Sequence, residues 1–395
     1  MYPELAVLGF AEGSSAALVS LVGRQCALLP SYEIARRELA IRGTALNIKV
    51  VHRIARILGA QVLTTRTRDL ERWRAGQLPP GQELAGKRVG AMVDGGRTRL
   101  RTVTRKQRGK GKKKKQRRRY KVEWREPKLL ILFEMDEQGR MKAGSQPWID
   151  GTFNGPNEAM ELRAFHLHRL GASKAEIVTF VSDGAPWIWD RLEWVERRVG
   201  LKASQTARVL DWCHAVHHVS LALEALGLAD AERRRLFAKM RRWLRRGYCG
   251  RVLRTLQRLG EERSWPAALA QPFEYLSKHV AAGHMDYGSY RRRGLPVGSG
   301  AVESAIRRVI NLRLKGPGLM WHEENAEGAL VLRAAAVTDR WEETLAHVRE
   351  EMGKDRRLAW DWESPDMPAQ LKAKVPIKPP VTQTTAEQGD QEAAA

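Results

Sequence analysis

Two short apolar segments of this chain both end in Asp-Gly, and this repeated pattern constrains the fold more than any other feature. Residues 88–95 read Arg-Val-Gly-Ala-Met-Val-Asp-Gly, and residues 177–184 read Ile-Val-Thr-Phe-Val-Ser-Asp-Gly. A short β-branched run that stops at a turn predicts a buried strand. In α/β proteins, sites lie outside the carboxyl ends of such strands. The sequence therefore predicts an α/β fold that brings Asp94 and Asp183 to one edge of a sheet.

A third acid, Glu303, lies near the start of a segment that is otherwise basic. Residues 302–315 are predicted to form one helix, whose basic residues are Arg307, Arg308, Arg313 and Lys315. Hard ions such as Mg²⁺ prefer carboxylate oxygens. A pair of such ions about 3.5–4 Å apart can activate an oxygen nucleophile and stabilise a leaving oxygen. We therefore expect Asp94, Asp183 and Glu303 to be the catalytic residues and the metal ligands, with Mg²⁺ as cofactor and Mn²⁺ as a substitute.

The composition indicates an anionic partner. The 395 residues include 69 Lys and Arg against 45 Asp and Glu, a formal net charge of +24. Such a charge is typical of a nucleic-acid-binding protein, although a ribosome-associated or merely basic protein is the alternative. The three cysteines lie far apart and form no Cys-x-x-Cys motif, which favours a reducing compartment. Without a signal peptide or a long apolar segment, a cytoplasmic location and no membrane partner are expected.

The N-terminal region, residues 1–75, is predicted to be a helical DNA-binding domain. A short helix follows Ser31, Gly43 breaks it, and Thr44 is predicted to cap a second helix that ends at Gly59. Two short helices around a glycine turn are typical of a helix-turn-helix. An ordinary packing helix is the alternative. In the DNA-binding interpretation, the contacts on the second helix come from Lys49, Arg53 and Arg56.

A run of Lys and Arg, interrupted only by Gly and Gln, occupies residues 105–119. No packed core can form from such a segment, so a flexible basic loop is predicted. Its function would be to contact a phosphate backbone, and a passive insertion between two strands is the alternative. The DNA contacts predicted here are Lys112, Lys113 and Arg118. Before it, residues 76–87 are predicted to be a linker; after it, residues 128–135 form a further core strand, and Asp150 is interpreted as part of a turn.

Several segments, in a fixed order, carry a resemblance to a known family. They are residues 93–99 (Val-Asp-Gly-Gly-Arg-Thr-Arg), 124–126, 182–189 (Ser-Asp-Gly-Ala-Pro-Trp-Ile-Trp), 210–214, 296–303 (Pro-Val-Gly-Ser-Gly-Ala-Val-Glu) and 313–321. Over roughly residues 85–345 the chain resembles the Asp-Asp-Glu (DDE) transposases of bacterial insertion sequences, in particular the ISKra-type family. Ser182 stands where that family more usually has glycine, a departure that leaves the three acids matched.

The resemblance implies a ribonuclease H-like catalytic core with a helical insertion, added to the N-terminal helix-turn-helix-like domain. Asp94, Asp183 and Glu303 match the family's three acids, and Asp211 with His214 matches a supporting signature. The implied organisation is a first core part at 88–215, a helical insertion at 216–295, a last core part with the Glu303 helix at 296–350, and a disordered tail at 364–395. Arg97 joins the residues expected to contact DNA.

Two other clusters have competing interpretations. Cys213, His214, His217 and His218 suggest zinc, but neighbouring residues of one helix point in different directions and cannot all reach one ion. A role of His214 beside the carboxylates is favoured instead. The tryptophans after Asp183 are interpreted as core packing, with stacking of one of them on an unpaired base as the alternative; they are Trp187, Trp189 and Trp194.

The predicted function is that of a transposase of a bacterial insertion sequence, a nucleoid-associated protein encoded by a mobile element. It would act as an endonuclease on the double-stranded ends of its element and then join them to target DNA, as a homo-oligomer on DNA. The alternatives are a non-catalytic DNA-binding protein derived from a transposase and a structure-selective nuclease on the same fold.

Overall fold

The computed structural model describes residues 14–105, 119–316 and 318–358, which form an α/β fold with two sheets and helices around them. The strands are β1 (Arg88–Gly95), β2 (Thr98–Arg105), β3 (Arg119–Arg125), β4 (Lys128–Glu134), β5 (Trp148–Thr152), β6 (Ile177–Ser182), β7 (Thr206–Leu210) and β8 (Trp321–His322). The α/β class predicted from the two Asp-Gly segments is confirmed.

The helices precede, connect and follow these strands. They are α1 (Ala16–Leu28), α2 (Tyr32–Ile41), α3 (Ile48–Arg74), α4 (Pro156–Arg169), α5 (Pro186–Val199), α6 (Trp212–Ala225), α7 (Asp230–Arg245), α8 (Cys249–Glu261), α9 (Ala267–Ala281), α10 (Tyr287–Arg292), α11 (Gly300–Ile306), α12 (Glu323–Val337) and α13 (Trp341–Leu358). By their contacts, Met1–Met352 form one compact unit and Gly353–Ala395 another. No helix in the described ranges is both long and apolar enough to cross a bilayer.

The larger sheet has the strand order β5-β4-β1-β6-β7. Strand β1 pairs antiparallel with β4 and parallel with β6, and β6 pairs parallel with β7. Every residue of β6 is buried, as is the centre of β1, which is typical of parallel strands in an α/β fold. Since β1 and β6 are parallel neighbours, Asp94 and Asp183 emerge at the same edge of the sheet, as predicted.

The smaller sheet has the order β3-β2-β8 and contains the β2–β3 hairpin. One face of this hairpin is turned inward through Thr98 and Leu100, which are 0% and 2% exposed. Thr98 donates a hydrogen bond from its hydroxyl to the carbonyl of Leu314, at 2.9 Å. Leu100 lies opposite Trp321 of β8. The hairpin is therefore fixed to the segment that follows α11, and its other face remains on the surface. Residues 106–118 of the predicted basic loop, with Lys112, Lys113 and Arg118, lie outside the described residues, as does the predicted tail.

The N-terminal helices are packed into the same unit as the sheet. Helix α2 ends before Gly43, whose φ of +83° is accessible to glycine at little cost, so the predicted break is confirmed. Two other predictions are wrong. The cap of α3 is Asn47, whose side chain accepts from the Lys49 amide, and not Thr44. The helix also continues beyond Gly59 to Arg74.

Gly59 has a packing role and does not end the helix. A Cβ atom at this position would lie 3.0 Å from the Cα of Gly328 in α12, so two glycines allow α3 and α12 to cross in close contact. The segment predicted as a linker also packs on this body, since the amide of Leu84 donates to the carbonyl of Leu170 at 2.8 Å. Helix α3 and the predicted linker therefore both pack within the unit.

Asp150 is not part of a turn, and that prediction is wrong. It lies within β5, opposite Leu130 of β4, and is 6% exposed. Arg66 of α3 donates to its Oδ1 at 3.0 Å, and His166 of α4 lies 2.7 Å from its Oδ2. Burial raises the pKa of Asp150, but Arg66 and His166 outweigh it and hold the value at about 2. This ion pair joins α3 and α4 to the edge of the sheet.

Candidate active site

Asp94 lies next to the last residue of β1 and is half-buried at the edge of the sheet. Its Oδ1 accepts a hydrogen bond from the Gly95 amide at 2.6 Å. Burial raises the pKa of Asp94 to about 6, and the negative charges of Asp183 and Glu303 add to the rise, while His214 opposes it. The parallel register of β1 and β6, with Met92 opposite Val181, places Asp94 beside Asp183, and the charges of Asp183 and Glu303 both act on the Asp94 carboxyl.

Asp183 directly follows β6 at the entrance to α5. Its Oδ1 accepts from the Ala185 amide at 3.2 Å, and the indole nitrogen of Trp189 donates to its main-chain carbonyl. Gly184 is required here because a Cβ atom would lie 2.0 Å from the ring of Tyr275. Trp189 is buried, so the packing interpretation holds for this tryptophan. The backbone around Asp183 is thus held by side chains of α5 and α9.

A chain of hydrogen bonds connects the end of β7 to the third acid. Asp211 caps α6 and is 0% exposed. Its Oδ2 accepts from the His214 amide at 2.9 Å and lies 2.8 Å from His214 Nδ1, while its Oδ1 accepts from the Ser299 amide at 2.7 Å. The Ser299 hydroxyl then donates to Glu303 Oε1 at 2.7 Å. Asp211 thereby positions both His214 and the residue that orients Glu303.

The same contacts set the charges of the Asp211–His214 pair. Burial raises the pKa of Asp211, but hydrogen bonds from His214 and Ser299 overcome this effect and keep it below its ordinary value. The hydrogen bond to Asp211 raises the pKa of His214, against the effect of its partial burial, and the charges of Asp183 and Asp94 act in the same direction. A buried carboxylate beside Nδ1 favours the tautomer with the proton on that nitrogen. His214 is therefore biased toward the imidazolium form beside the two aspartates.

Main-chain hydrogen bonds and a close glycine contact fix the loops around the site. The amide of Asp211 donates to the carbonyl of Ser182, and that of Trp212 donates to the carbonyl of Val297, both at 2.8 Å. Gly96 lies under Ile310, where a Cβ atom would be 2.4 Å from the isoleucine side chain. The loop before α11 and the turn after it are thus attached to the strand ends, which explains how a helix distant in sequence delivers Glu303 to this edge.

The prediction of one helix over 302–315 is wrong. Helix α11 ends at Ile306, and residues Arg307–Asn311 form a single π-helical turn. Such wide turns occur often at functional sites. The turn directs its apolar residues Val309 and Ile310 into the core, where both are 0% exposed. Glu303 itself is exposed at the site.

The three predicted metal ligands are carboxylates whose hydrogen-bond partners are neutral. In the described ranges, the donors to Asp94, Asp183 and Glu303 are two backbone amides and one hydroxyl, with no Lys or Arg ion pair. Among the same residues, no group of three or more His, Cys, Asp or Glu is arranged closely enough to hold a metal ion by itself. Mg²⁺ is usually bound through one or two carboxylates, waters and substrate phosphates, so the spread of these acids suits a site that substrate completes.

The basic residues predicted on α3 line a surface cleft of about 630 Å³ between α3, β2 and the start of α12. Lys49, Arg53 and Arg56 are all exposed there. Arg101 of β2 lines the same cleft, although nothing in its sequence context distinguishes it from its neighbours. The cleft therefore collects cations from two distant parts of the chain.

The basic residues near Glu303 divide into two groups. Arg97, Arg307 and Lys315 are exposed, as their predicted contact with DNA requires. Arg313 is 2% exposed, and its guanidinium donates to the carbonyls of Cys26 at 3.0 Å and Pro30 at 3.4 Å, so its prediction as a DNA contact is wrong.

Arg313 also lies between two aromatic rings, with its guanidinium carbon 5.0 Å from the Tyr32 ring and 4.8 Å from the Trp321 ring. Arg313 therefore links the N-terminal helices α1 and α2 to strand β8. Arg308 is half-buried, and its Nη1 lies 3.5 Å from the carbonyl of Val337 in α12.

Two residues of the site, Ser299 and Tyr275, were missed from sequence. Ser299 lies inside a quoted motif, but serine before a helix is common, and only its contacts reveal its role. Tyr275 stacks on His218 with ring centroids 3.5 Å apart. Burial and the neighbouring His217 lower the pKa of His218 to about 4, which leaves it neutral near pH 7. No sequence signal connects Tyr275 in α9 with Asp183, because the contact is made only by folding.

Comparison with known proteins finds nothing similar to this chain: no family model, no curated protein and no solved structure matches it.

Proposed function

We propose that this protein is a DDE transposase that binds the ends of an insertion sequence, cleaves their phosphodiester bonds and joins the freed ends to target DNA. The observation that carries the proposal is the convergence of Asp94, Asp183 and Glu303. Among the described residues, these three carboxylates have no Lys or Arg ion pair, and they lie at the edge of a mixed sheet in a chain of net charge +24. Such an arrangement is unfavourable without a cation, and it supports a ribonuclease H-like core.

The residues fit the divalent ions that this proposal requires. The charges of Asp183 and Glu303 both act on Asp94, and all three residues present hard oxygen ligands. Mg²⁺, or Mn²⁺ in its place, would be held by these carboxylates together with water and a phosphate of the substrate. When bound, such ions activate an oxygen nucleophile and stabilise the leaving oxygen.

The remaining residues of the chain position the substrate and the acids. Ser299 holds one oxygen of Glu303, and Asp211 holds Ser299. His214, whose Nδ1 faces Asp211, would donate a hydrogen bond from Nε2 to a phosphate oxygen when the imidazole is protonated. Asp211 thus acts as a buried anchor, because it raises the pKa of His214 and holds Ser299, which orients Glu303.

The DNA partner would lie along the exposed basic residues. Lys49, Arg53 and Arg56 would contact the ends of the element, while Arg97, Arg307 and Lys315 would contact phosphates near the cut. Neutralising phosphates releases counterions, so affinity falls with salt by a slope of about −0.9 per contact on duplex DNA. Two ends must be held together for joining, which favours a homo-oligomer on DNA in the bacterial cytoplasm, associated with the nucleoid.

The test is a Mg²⁺-dependent cleavage assay on DNA carrying the element's ends, beside a binding assay in Ca²⁺. Asp94→Asn, Asp183→Asn and Glu303→Gln should each lower cleavage by orders of magnitude while binding persists. The matched control is Glu193→Gln, which removes an acid with a 70% exposed side chain on α5. Asp150 cannot serve as the control, because its replacement would break a buried ion pair.

The outcomes separate the proposal from its alternatives. Near-parental cleavage by any of the three variants removes that residue from the site. DNA binding without cleavage by the parent protein indicates a non-catalytic derivative of a transposase. Cleavage without joining to target DNA indicates a nuclease.

A further inference from the structure

One face of the β2–β3 hairpin carries exposed aromatic side chains at alternating positions. On β3, Tyr120, Val122 and Trp124 are 41%, 46% and 52% exposed. In a strand, residues two apart lie on the same face, so these three form one apolar stripe. The stripe lies opposite the face that Thr98 and Leu100 bury. Large exposed apolar side chains grouped in this way mark a binding surface rather than a random surface position.

Cations accompany the aromatic stripe. The register places Arg99 opposite Trp124 and Arg101 opposite Val122. The guanidinium carbon of Arg99 lies 5.7 Å from the Trp124 ring centroid, and that of Arg101 lies 4.9 Å from the Tyr120 ring.

Two further cations stand over the same tryptophan. The Arg97 guanidinium carbon lies 5.5 Å and the Lys315 ammonium nitrogen 5.9 Å from its ring centroid. Rings and positive charges therefore alternate over one continuous surface, which we call the aromatic face, made of Arg97, Arg99, Arg101, Tyr120, Val122, Trp124 and Lys315.

The aromatic face adjoins both parts of the proposed DNA-binding surface. At one end, Arg97 follows Asp94 by three residues in the connection from β1 to β2. At the other end, Arg101 also lines the cleft that contains Lys49 and Arg56 of α3. A strand running from the α3 cleft to the carboxylates would cross this face.

We propose that the aromatic face binds unpaired nucleotides of the DNA strand beside the cleaved phosphate, by stacking their bases on Trp124 and Tyr120 while the cations hold the backbone. This inference rests on the proposed function. In duplex DNA the ring faces of the bases are covered by their neighbours, so stacking on a flat exposed sheet requires unpaired bases. The four cations complement a phosphate backbone and disfavour a basic partner such as a second copy of this chain.

The experiment measures binding of a short single-stranded DNA and of the matching duplex to the full-length protein by fluorescence anisotropy, without divalent ions. Trp124→Ala should weaken single-strand binding by about 5- to 150-fold, the effect expected for the loss of one stacked base, with a smaller effect on the duplex. Trp124→Phe should restore most of the affinity. The matched control is Tyr248→Ala, which removes an aromatic side chain that is 53% exposed just before α8.

A second measurement separates stacking from charge. Trp124→Ala should leave the salt slope of single-strand binding unchanged, whereas Arg99→Gln should reduce it by about 0.7. Equal losses in Trp124→Ala and Tyr248→Ala, or an unchanged single-strand affinity in Trp124→Ala with a parental circular dichroism spectrum, would overturn the proposal. Loss of self-association in Trp124→Ala, with unchanged DNA affinity, would likewise overturn it and identify a protein interface.

Because these measurements need no cleavage, they distinguish the two proposals. If Trp124 contributes to single-strand binding but the protein does not cut DNA, the proposal for the aromatic face stands and the transposase proposal fails. If the protein cuts DNA but Trp124 does not contribute to binding, the transposase proposal stands and the proposal for the aromatic face fails.

Discussion

Replacement of Asp211 by Asn tests whether one buried carboxylate positions the rest of the site. Asp211 uses both of its oxygens: Oδ1 accepts from the Ser299 amide, and Oδ2 accepts from the amide of His214 and faces its Nδ1. Asparagine has only one oxygen. Either amide orientation leaves a backbone N–H of Ser299 or His214 facing an NH₂ group. Because the side chain at this position is 0% exposed, water does not replace the lost acceptor.

The magnitude follows from this arrangement. A buried donor without an acceptor costs about 1–3 kcal/mol. The helix cap itself adds little, because Asn and Asp cap helices equally well. We therefore expect Asp211→Asn to lower the free energy of unfolding by about 1–3 kcal/mol. The pKa of His214, which Asp211 raises, should move back down, so that the imidazole loses its proton at a lower pH than in the parent protein.

The assay is urea unfolding followed by circular dichroism, with the pKa of His214 taken from the imidazole NMR signals. Asp230→Asn is the matched control, since its side chain is 76% exposed at the start of α7 and should change stability by less than about 0.5 kcal/mol. A free energy within that margin for Asp211→Asn, together with an unmoved His214 signal, would refute the reasoning, because neither the hydrogen bonds nor the charge would then matter.

Three other changes test the fold and the site. Asp150→Asn should cost about 1–3 kcal/mol in urea unfolding, because the buried Arg66 guanidinium keeps Glu327 but loses one of its two carboxylate partners. The pKa of Asp150 in the folded protein, about 2, lies below its unfolded value of 3.8, so the parent should keep this stability above pH 4 and lose it as the pH falls toward 2; Asp150→Asn should lack that fall. Gly59→Ala should cost about 1–3 kcal/mol, since its Cβ would press on Gly328 at 3.0 Å; an unchanged midpoint would mean that the helices separate freely. Mg²⁺ should raise the melting temperature of the parent protein and not that of Asp94→Asn, and equal shifts in differential scanning fluorimetry would exclude this carboxylate as a ligand.

The sequence by itself determined the elements whose evidence is local. A β-branched run followed by Asp-Gly identified β1 and β6 and the positions of Asp94 and Asp183, because both the strand and the turn depend on neighbouring residues. Gly43 was likewise recognisable as a break.

Only the tertiary structure decided the roles of residues whose partners are far away in sequence. Arg313 reads as one more basic residue, yet its partner carbonyls on Cys26 and Pro30 are 287 and 283 positions away. Asp150 reads as a turn until Arg66, 84 residues earlier, is placed beside it. Burial of a charged group is stable only when such partners are supplied, and no local pattern records them. For the same reason, composition predicted a basic surface, while the fold alone placed Arg99 over Trp124 and Ser299 between Asp211 and Glu303.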